Sequence, residues 1–522
     1  MRSCVLILAG GLALAQPALA GPQRTVDAVE PAARATAARQ PPASADAERR
    51  LLLQALATAR ALLRKRDHVG AGRAFDDVLA HPLFATLSAE ERRAAWSGAA
   101  GADIEVDRFD RARDRTRRAI EADPGDPEDW YRLSTLSYDL KDYDAAAAAL
   151  IELAQRWPEL LVNLSQDYIT WLLDRLEDDS PRRVEYLQAL FDARWERPEY
   201  GSDRLWYQLA LALLENGDDD RARAVVRRIV VPELVVRMRS DRRFDPAIDR
   251  ESWSFDPGRS AERAIEAQRD RVAAQPRSLM ARVQLTYRLL EAGQHARTLA
   301  VADDALRAIA EADVAEEAPF DDIQKQVWLM NNRAIALRRL GRIDEARDEL
   351  LRASRLVESG GGNVSQSLNL GMFMAQLGRA DEARASIDRA PEQTMTGYGR
   401  MVRTLVQLRI ALLREDRAAE RRAFAYLRRH REDAPDAYLD ALLLTGRIED
   451  AAQALIARLA SPEDRGDALY YLQEFRENAP LPGDVAHREH FRSMLAREDL
   501  RAAIEKVGRI ERHPIFPLRG MQ

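Results

Sequence analysis

Along most of the chain, apolar residues recur at helical spacing and are interrupted by short polar turns. The clearest example is the phrase LGRIDEA at residues 340–346, which recurs as LGRADEA at 377–383 and, in related form, as TGRIEDA at 445–451. In each phrase a glycine ends one helix, acidic residues suit the positive end of the next helix, and an alanine permits a close helix crossing. The phrase therefore predicts a joint between two helices of a pair and not a binding site.

A longer repeat contains this joint. Three residue types recur with a period of 34 residues: tryptophan at 96 and 130, alanine at 112 and 146, and proline at 124 and 158. This arrangement resembles the tetratricopeptide repeat, which is a pair of antiparallel helices. The resemblance implies an all-α fold: a right-handed superhelical solenoid of antiparallel helix pairs, arranged in two blocks. Runs of β-branched residues are nearly absent, so we expect no sheet.

The pattern divides the chain into six predicted segments. They are a signal peptide at 1–20, a linker at 21–46, an N-terminal repeat array at 47–236, a junction at 237–260, a C-terminal repeat array at 261–480, and capping helices with a tail at 481–522. The repeat pattern breaks around Pro232, Pro246 and Pro257, which is why the junction is placed there. The capping helices would cover the last apolar face of the stack. We expect His513 to begin the tail.

The first 20 residues are typical of a secretory leader. Arg2 is followed by an apolar run from Val5 to Ala15 and by a small-residue ending at Ala18 and Ala20. We predict cleavage after Ala20 and a periplasmic or secreted bacterial protein. A membrane anchor is the alternative, but the apolar run is too short to span a bilayer comfortably. We expect no membrane-spanning segment after cleavage.

Composition and motifs exclude several functional classes. The formal net charge of −6 is small for 522 residues, which disfavours a nucleic-acid partner. The single cysteine lies in the leader, so thiol catalysis and thiolate metal sites are not expected. His487 and His490 do not match a zinc-protease pattern, and no nucleophile elbow or phosphate loop is present. We therefore predict no enzyme activity, no catalytic residue, no cofactor and no metal.

Two sets of residues are candidates for contacts in a groove. The resemblance to the repeat family implies that amides at the sixth position of each unit face a peptide ligand: Gln284, Asn332 and Asn369. Tyrosines are expected where the first helix of a unit faces the groove: Tyr131, Tyr138 and Tyr207. The alternatives are solvated helix surface for the amides and packing against a neighbouring helix for the tyrosines. The carboxylate-clamp form of the family also requires a set of basic residues that Arg333 and Arg338 do not complete.

Stacked helix pairs form a long concave surface that suits extended peptides and helices of other proteins. The sequence thus predicts a non-enzymatic scaffold or adaptor for protein–protein interaction in the bacterial cell envelope, with a partner protein or extended peptide in the groove and membership of an envelope complex. Two alternatives stay open. One is a periplasmic component of polysaccharide export or cell-wall assembly, and the other is an enzyme accessory protein.

Overall fold

The computed structural model describes residues 43–177, 180–312, 318–358 and 362–517. The predicted signal peptide lies outside the described residues, as does most of the predicted linker. The first helix begins at Ala43, so residues 43–46 of the segment expected to be a linker are helical. Within the described ranges the regular structure is helical, with isolated β-bridges and no strand. This confirms the expected all-α class.

Ten helices form the N-terminal array in the part of it that the structure describes. They are α1 (Ala43–Arg64), α2 (His68–Leu79), α3 (Ala89–Ile104), α4 (Phe109–Ala122), α5 (Pro127–Asp139), α6 (Tyr143–Arg156), α7 (Gln166–Leu173), α8 (Pro181–Asp192), α9 (Asp203–Glu215) and α10 (Asp219–Val226). Consecutive helices pack as pairs except around the short α7, where α8 packs mainly on α6. That exception coincides with residues 161–200, which fit the repeat pattern poorly.

The second half contains fifteen helices in the described residues. They are α11 (Pro232–Ser240), α12 (Pro257–Ala274), α13 (Leu279–Glu291), α14 (His295–Glu311), α15 (Gln326–Arg339), α16 (Ile343–Ala353), α17 (Val364–Gln376), α18 (Ala380–Asp388), α19 (Gly397–Leu413), α20 (Arg417–Arg429), α21 (Pro435–Leu444), α22 (Ile448–Ala460), α23 (Arg465–Tyr471), α24 (Val485–Leu495) and α25 (Glu498–Val507). From α13 to α22 consecutive helices pack as pairs, which gives the solenoid of antiparallel helix pairs that was expected.

The recurring heptapeptide is the joint that the sequence predicted. Its glycines adopt left-handed backbone geometry, with φ of +78° at Gly341 and +79° at Gly378. Such a residue closes the last helical turn and leaves the chain free to reverse. Ala346 and Ala383 are fully buried where the second helix crosses the first. The three phrases recur because each forms the same helix–turn–helix joint.

The second half closes on itself, which the repeat pattern did not predict. Helix α11 packs against α23, and Arg509 N donates to Ser240 O at 2.9 Å. Farther along, Phe516 N donates to Glu291 O at 2.9 Å. The expectation of a tail from His513 is therefore wrong for residues up to Phe516. We call the closed unit, α11 to α25 with residues 508–517, the C-terminal ring.

Apolar burial explains the closure. Ile515 joins a core cluster with Val236, Ala261 and Tyr470, which belong to α11, α12 and α23. Phe516 is also buried, and its ring lies 5.2 Å from that of His295. These two apolar side chains would otherwise be exposed to water, so their burial favours the returned segment. The predicted junction is consequently one wall of the ring.

Candidate ligand groove

A groove in the C-terminal ring opens between α15 and α17, which are the first helices of two successive helix pairs. Helices α13 and α15 pack directly against each other, as do α17 and α19, whereas α15 and α17 stand farther apart. The connection from Ser354 to Asn363 is longer than the tight turns inside the helix pairs. Asn363 fixes its end: the side-chain Oδ1 accepts from Gln366 N at 2.9 Å, and Nδ2 donates to Ala353 O at 2.9 Å. We call this opening the asparagine groove.

The asparagine groove encloses about 620 Å³, within the range of sites that hold small ligands or a short peptide segment. Its walls are largely apolar and aromatic: Tyr287, Leu290, Trp328, Ile335, Val364, Leu368, Met395, Tyr398 and Val402. Tyr398 is 65% exposed, which is unusual for a large aromatic side chain in this protein. An exposed aromatic at the rim of an apolar groove is typical of a recognition surface.

Two asparagine amides face this groove. Asn369 Nδ2 donates to Asn331 Oδ1 at 3.0 Å and also contacts Gln366 Oε1 at 3.2 Å. This amide pair joins α15 to α17 across the opening. Within the described ranges no group donates to Asn369 Oδ1, so that oxygen can accept a hydrogen bond from a ligand.

Of the three predicted amides, only Asn369 lines the groove. Asn332 is fully buried and donates to Thr286 Oγ1 at 2.9 Å, so it joins α15 to α13. Its neighbour Asn331 faces the groove instead, because successive residues on a helix point about 100° apart. Gln284 is half-buried on α13 and does not line the groove. The adjacent asparagines at 331 and 332 were the signal that could have identified Asn331.

The predicted tyrosines lie in the N-terminal array and not in the groove. Tyr131 and Tyr138 both pack against Tyr168, with ring centroids 6.0 Å and 5.4 Å away. Tyr207 stacks on Phe244 at 5.1 Å, and burial raises its pKa above the ordinary range. Two tyrosines thus share one aromatic cluster, while the third packs where the array meets the junction.

The charged groups around the asparagine groove nearly balance. Glu358 Oε2 accepts from Ser365 N at 2.9 Å, and Arg339 donates to Leu290 O at 2.8 Å. Burial lowers the pKa of Arg339 to about 10, so the group stays cationic at neutral pH. Arg333 does not line the groove, and it is ion-paired with Asp303 at 2.6 Å. One carboxylate and one guanidinium leave a groove without strong net charge.

Comparisons with known proteins were made for the whole chain. No protein-family model matches it, and no curated protein matches it significantly. Among solved structures it is similar to yeast Tom70, with a TM-score of 0.30 and 10% identity over 88% of this chain and 100% of that one. Naa15/Naa10 bound to HypK-THB gives a TM-score of 0.23 and 14% identity over 86% of this chain and 69% of that one. The APC/C hetero-tetramer Cut9–Hcn1 gives a TM-score of 0.23 and 13% identity over 86% of this chain and 94% of that one.

The fold assignment rests on the helix pairing of this chain itself.

In the described ranges, no three histidine, cysteine, aspartate or glutamate side chains come close enough to hold a metal ion. His487 contacts Asp440 at 3.2 Å, and His490 contacts Leu443 O at 2.7 Å, so each histidine ties α24 to α21. Among the helices that are described, none is long and apolar enough to cross a membrane.

Proposed function

We propose that this chain is a non-enzymatic scaffold of the bacterial cell envelope that holds an extended segment of a partner protein in the asparagine groove. The observation that carries the proposal is the amide pair of Asn331 and Asn369 across an apolar groove. A side-chain amide offers a donor and an acceptor, so it can pair with the backbone of any peptide sequence. The sequence of the bound segment would then be selected by the apolar and aromatic walls.

The groove's charge balance specifies the partner further. Because Glu358 and Arg339 nearly cancel, an extended segment with apolar side chains and little charge suits the groove best. The exposed ring of Tyr398 supplies a large contact area at the rim with little loss of conformational entropy on binding. If the partner is a folded protein, the segment that binds must be an extended loop or terminus of it.

The envelope location rests on the leader pattern. Arg2, the apolar run that follows it and the small residues Ala18 and Ala20 support export and cleavage after Ala20. N-terminal sequencing of the protein purified from a periplasmic extract tests this part. The expected first residue is Gly21, and a mature chain that keeps Arg2 would contradict the proposed export.

Binding is tested by selecting linear peptides on the purified protein from a displayed random library. The best peptide is then titrated against the wild type and three variants. Asn369→Ala should weaken binding about fivefold, since one hydrogen bond to a ligand contributes roughly 1 kcal/mol. Tyr398→Ala should weaken it by a similar or larger factor. Both side chains are at least partly exposed, so neither change should unfold the protein.

The matched control is Asn216→Ala, which removes an exposed asparagine from the turn after α9, far from the groove in the chain. Its affinity should equal that of the wild type. Equal affinity in all three variants would remove the asparagine groove from the proposal. Failure to select any peptide would remove the extended-peptide ligand.

A further inference from the structure

Arg338 is a buried cation that forms no ion pair with any residue the structure describes. It lies at the end of α15 and is 5% exposed, and its Nη1 atom is buried without a hydrogen bond. Within the described residues no carboxylate forms an ion pair with it, and the nearby Asp484 is paired with Arg409 at 3.0 Å. The neighbouring guanidinium of Arg339 is half-buried and adds a second positive charge nearby. A buried unpaired charge is costly, so such a group is expected to have a counter-charge.

Other buried arginines in the described residues have acceptors. Arg409 is as buried as Arg338, and its Nη1 contacts Asp484 Oδ1 at 3.0 Å and Gly483 O at 3.2 Å. Arg183 donates to the carbonyl oxygens of Leu173 and Leu176. The helix dipole of α15 favours a cation near its end, but it supplies no bidentate acceptor. Arg338 is therefore an exception in this fold.

Arg338 faces a cavity of about 670 Å³ inside the C-terminal ring. The chain from Tyr471 to Asn478 and one face of α24 form two walls, and Arg512 with Pro517 of the returned segment forms another. We call this space the arginine cavity. It depends on ring closure, because the returned segment contributes part of its lining.

The cations of the arginine cavity outnumber its anions. Each carboxylate in the lining is already paired with one arginine: Asp484 with Arg409 at 3.0 Å, Glu477 with Arg488 at 3.1 Å and Glu474 with Arg512 at 3.1 Å. Within the described residues, Arg338, Arg476 and Arg492 line the cavity without a carboxylate partner. An excess of cations in a concave site concentrates anions there.

Much of the remaining wall is apolar, although Gln473, Asn478 and His487 also line the cavity. Leu472, Phe475, Phe491 and Leu495 line the cavity beside the arginines, and Tyr471 is occupied by its hydrogen bond to Asp440 at 2.9 Å. This combination suits a molecule with one oxyanion and a compact apolar body. A guanidinium binds the two oxygens of a carboxylate or phosphate side by side, which matches the missing partner of Arg338.

We propose that the arginine cavity is a binding site for a small organic oxyanion, a carboxylate or a phosphate monoester on an apolar body, whose charged oxygens pair with Arg338. The site is separate from the asparagine groove and does not depend on the function proposed for that groove. Ligand binding would bridge α15, α19 and α24 and so hold the ring closed.

Benzoate and phenyl phosphate are suitable probes, because they carry the two oxyanions on the same apolar ring. Each is titrated calorimetrically into the full chain at neutral pH in a buffer free of other oxyanions. The wild type should bind at least one probe in the millimolar range or tighter. Preference for one probe identifies the carboxylate or the phosphate as the natural charged group.

The deciding variant is Arg338→Met, which keeps an unbranched apolar stem in place of the arginine stem and removes the guanidinium with its charge. It should weaken binding of the preferred probe at least tenfold. Arg347→Met is the matched control on α16, where Arg347 is ion-paired with Asp344 at 2.9 Å outside the cavity, and it should bind like the wild type. Arg338→Lys should bind with intermediate affinity because it keeps the charge without the paired donors.

Thermal melting supplies an independent readout. The preferred probe should raise the melting temperature of the wild type and of Arg347→Met, but not that of Arg338→Met. Absence of binding by both probes to the wild type would overturn the proposal. Equal binding to the wild type and Arg338→Met would overturn it as well. If Arg338→Met does not fold, equal affinity in the wild type and Arg338→Lys would have the same consequence.

Discussion

Arg115 in the N-terminal array and Arg338 in the C-terminal ring are equally buried, each 5% exposed, yet their surroundings differ. Arg115 lies between two carboxylates: it contacts Asp76 and pairs with Asp103 at 2.8 Å. Arg338 faces a cavity and has no such partner in the described structure. The array neutralises the charge of Arg115 within the chain, whereas the described residues of the ring do not neutralise that of Arg338. Burial of an arginine therefore does not separate a structural role from a binding role, but its pairing does.

The largest expected effect contrasts these two arginines. Arg115→Met removes the closest cation from buried Asp103 and leaves only Arg111 at 3.5 Å and Arg108 at 4.0 Å, so it should lower the free energy of unfolding by about 3 kcal/mol. Arg338→Met removes an unpaired buried charge and should leave that free energy unchanged or raise it. Guanidinium unfolding of both variants and the wild type measures the difference. Equal losses in the two variants would refute the distinction between a paired and an unpaired site.

The next contrast separates the array from the ring closure. Phe516→Ala removes a buried aromatic side chain from the returned segment and should destabilise the closed form of the C-terminal ring by about 3–5 kcal/mol. Hydrogen exchange should then accelerate in residues 508–517 and in α11, with little change in α1 to α6. Phe75→Ala is the control, because Phe75 is a buried phenylalanine of the N-terminal array. Its faster exchange should be confined to α1, α2 and α3, and overlapping patterns would contradict an independent ring.

Acid should weaken the ring through His513. This side chain is 2% exposed, and burial lowers its pKa from 6.5 to about 4, with Arg239 adding to the shift while Glu511 and Asp256 oppose it. The unfolded chain then binds the proton more tightly, so stability from this group is present above pH 6.5 and is lost as the pH falls towards 4. The loss of unfolding free energy that His513 causes over this range is at most about 3 kcal/mol.

The test compares the wild type with His513→Gln across that range. The wild type should lose stability relative to the variant as the pH falls from 6.5 to 4. Burial raises the pKa of Glu291 to about 7 and acts in the opposite direction, but it is present in both proteins and cancels in the difference. A pH-independent difference in unfolding free energy would contradict a neutral buried His513.

The smallest contrast concerns the turns within helix pairs. Lys141 in the array and Gly341 in the ring occupy the same turn geometry, with φ of +63° and +78°. A residue with a side chain is strained in this backbone conformation and glycine is not. Lys141→Gly should therefore raise the free energy of unfolding by about 0.5–1 kcal/mol, and Gly341→Ala should lower it by about 1 kcal/mol. Thermal melting of both single variants measures this. The same sign of change in both would show that the two turns are not equivalent.

Local features of this protein followed from its sequence because they depend on neighbouring residues. The glycine turn, the acidic first helical turn and the buried alanine of residues 340–346 all appeared where the repeat predicted them. Helix periodicity placed the antiparallel pairs, and the absence of β-branched runs predicted the absence of a sheet. Periodicity was less useful for the groove, since a shift of one residue separates Asn331, which faces it, from the buried Asn332.

Tertiary structure alone decided the contacts between residues that are far apart in the chain. Arg239 and Glu511 form an ion pair at 2.7 Å, and no local pattern relates those two positions. The same closure buries Ile515 and Phe516 and supplies part of the wall of the arginine cavity that Arg338 lines. A sequence determines how each helix pair forms, because that choice is made within about one repeat. Ring closure depends on the summed twist of all the pairs and on which apolar surfaces meet at the end, and these exist only in the folded chain.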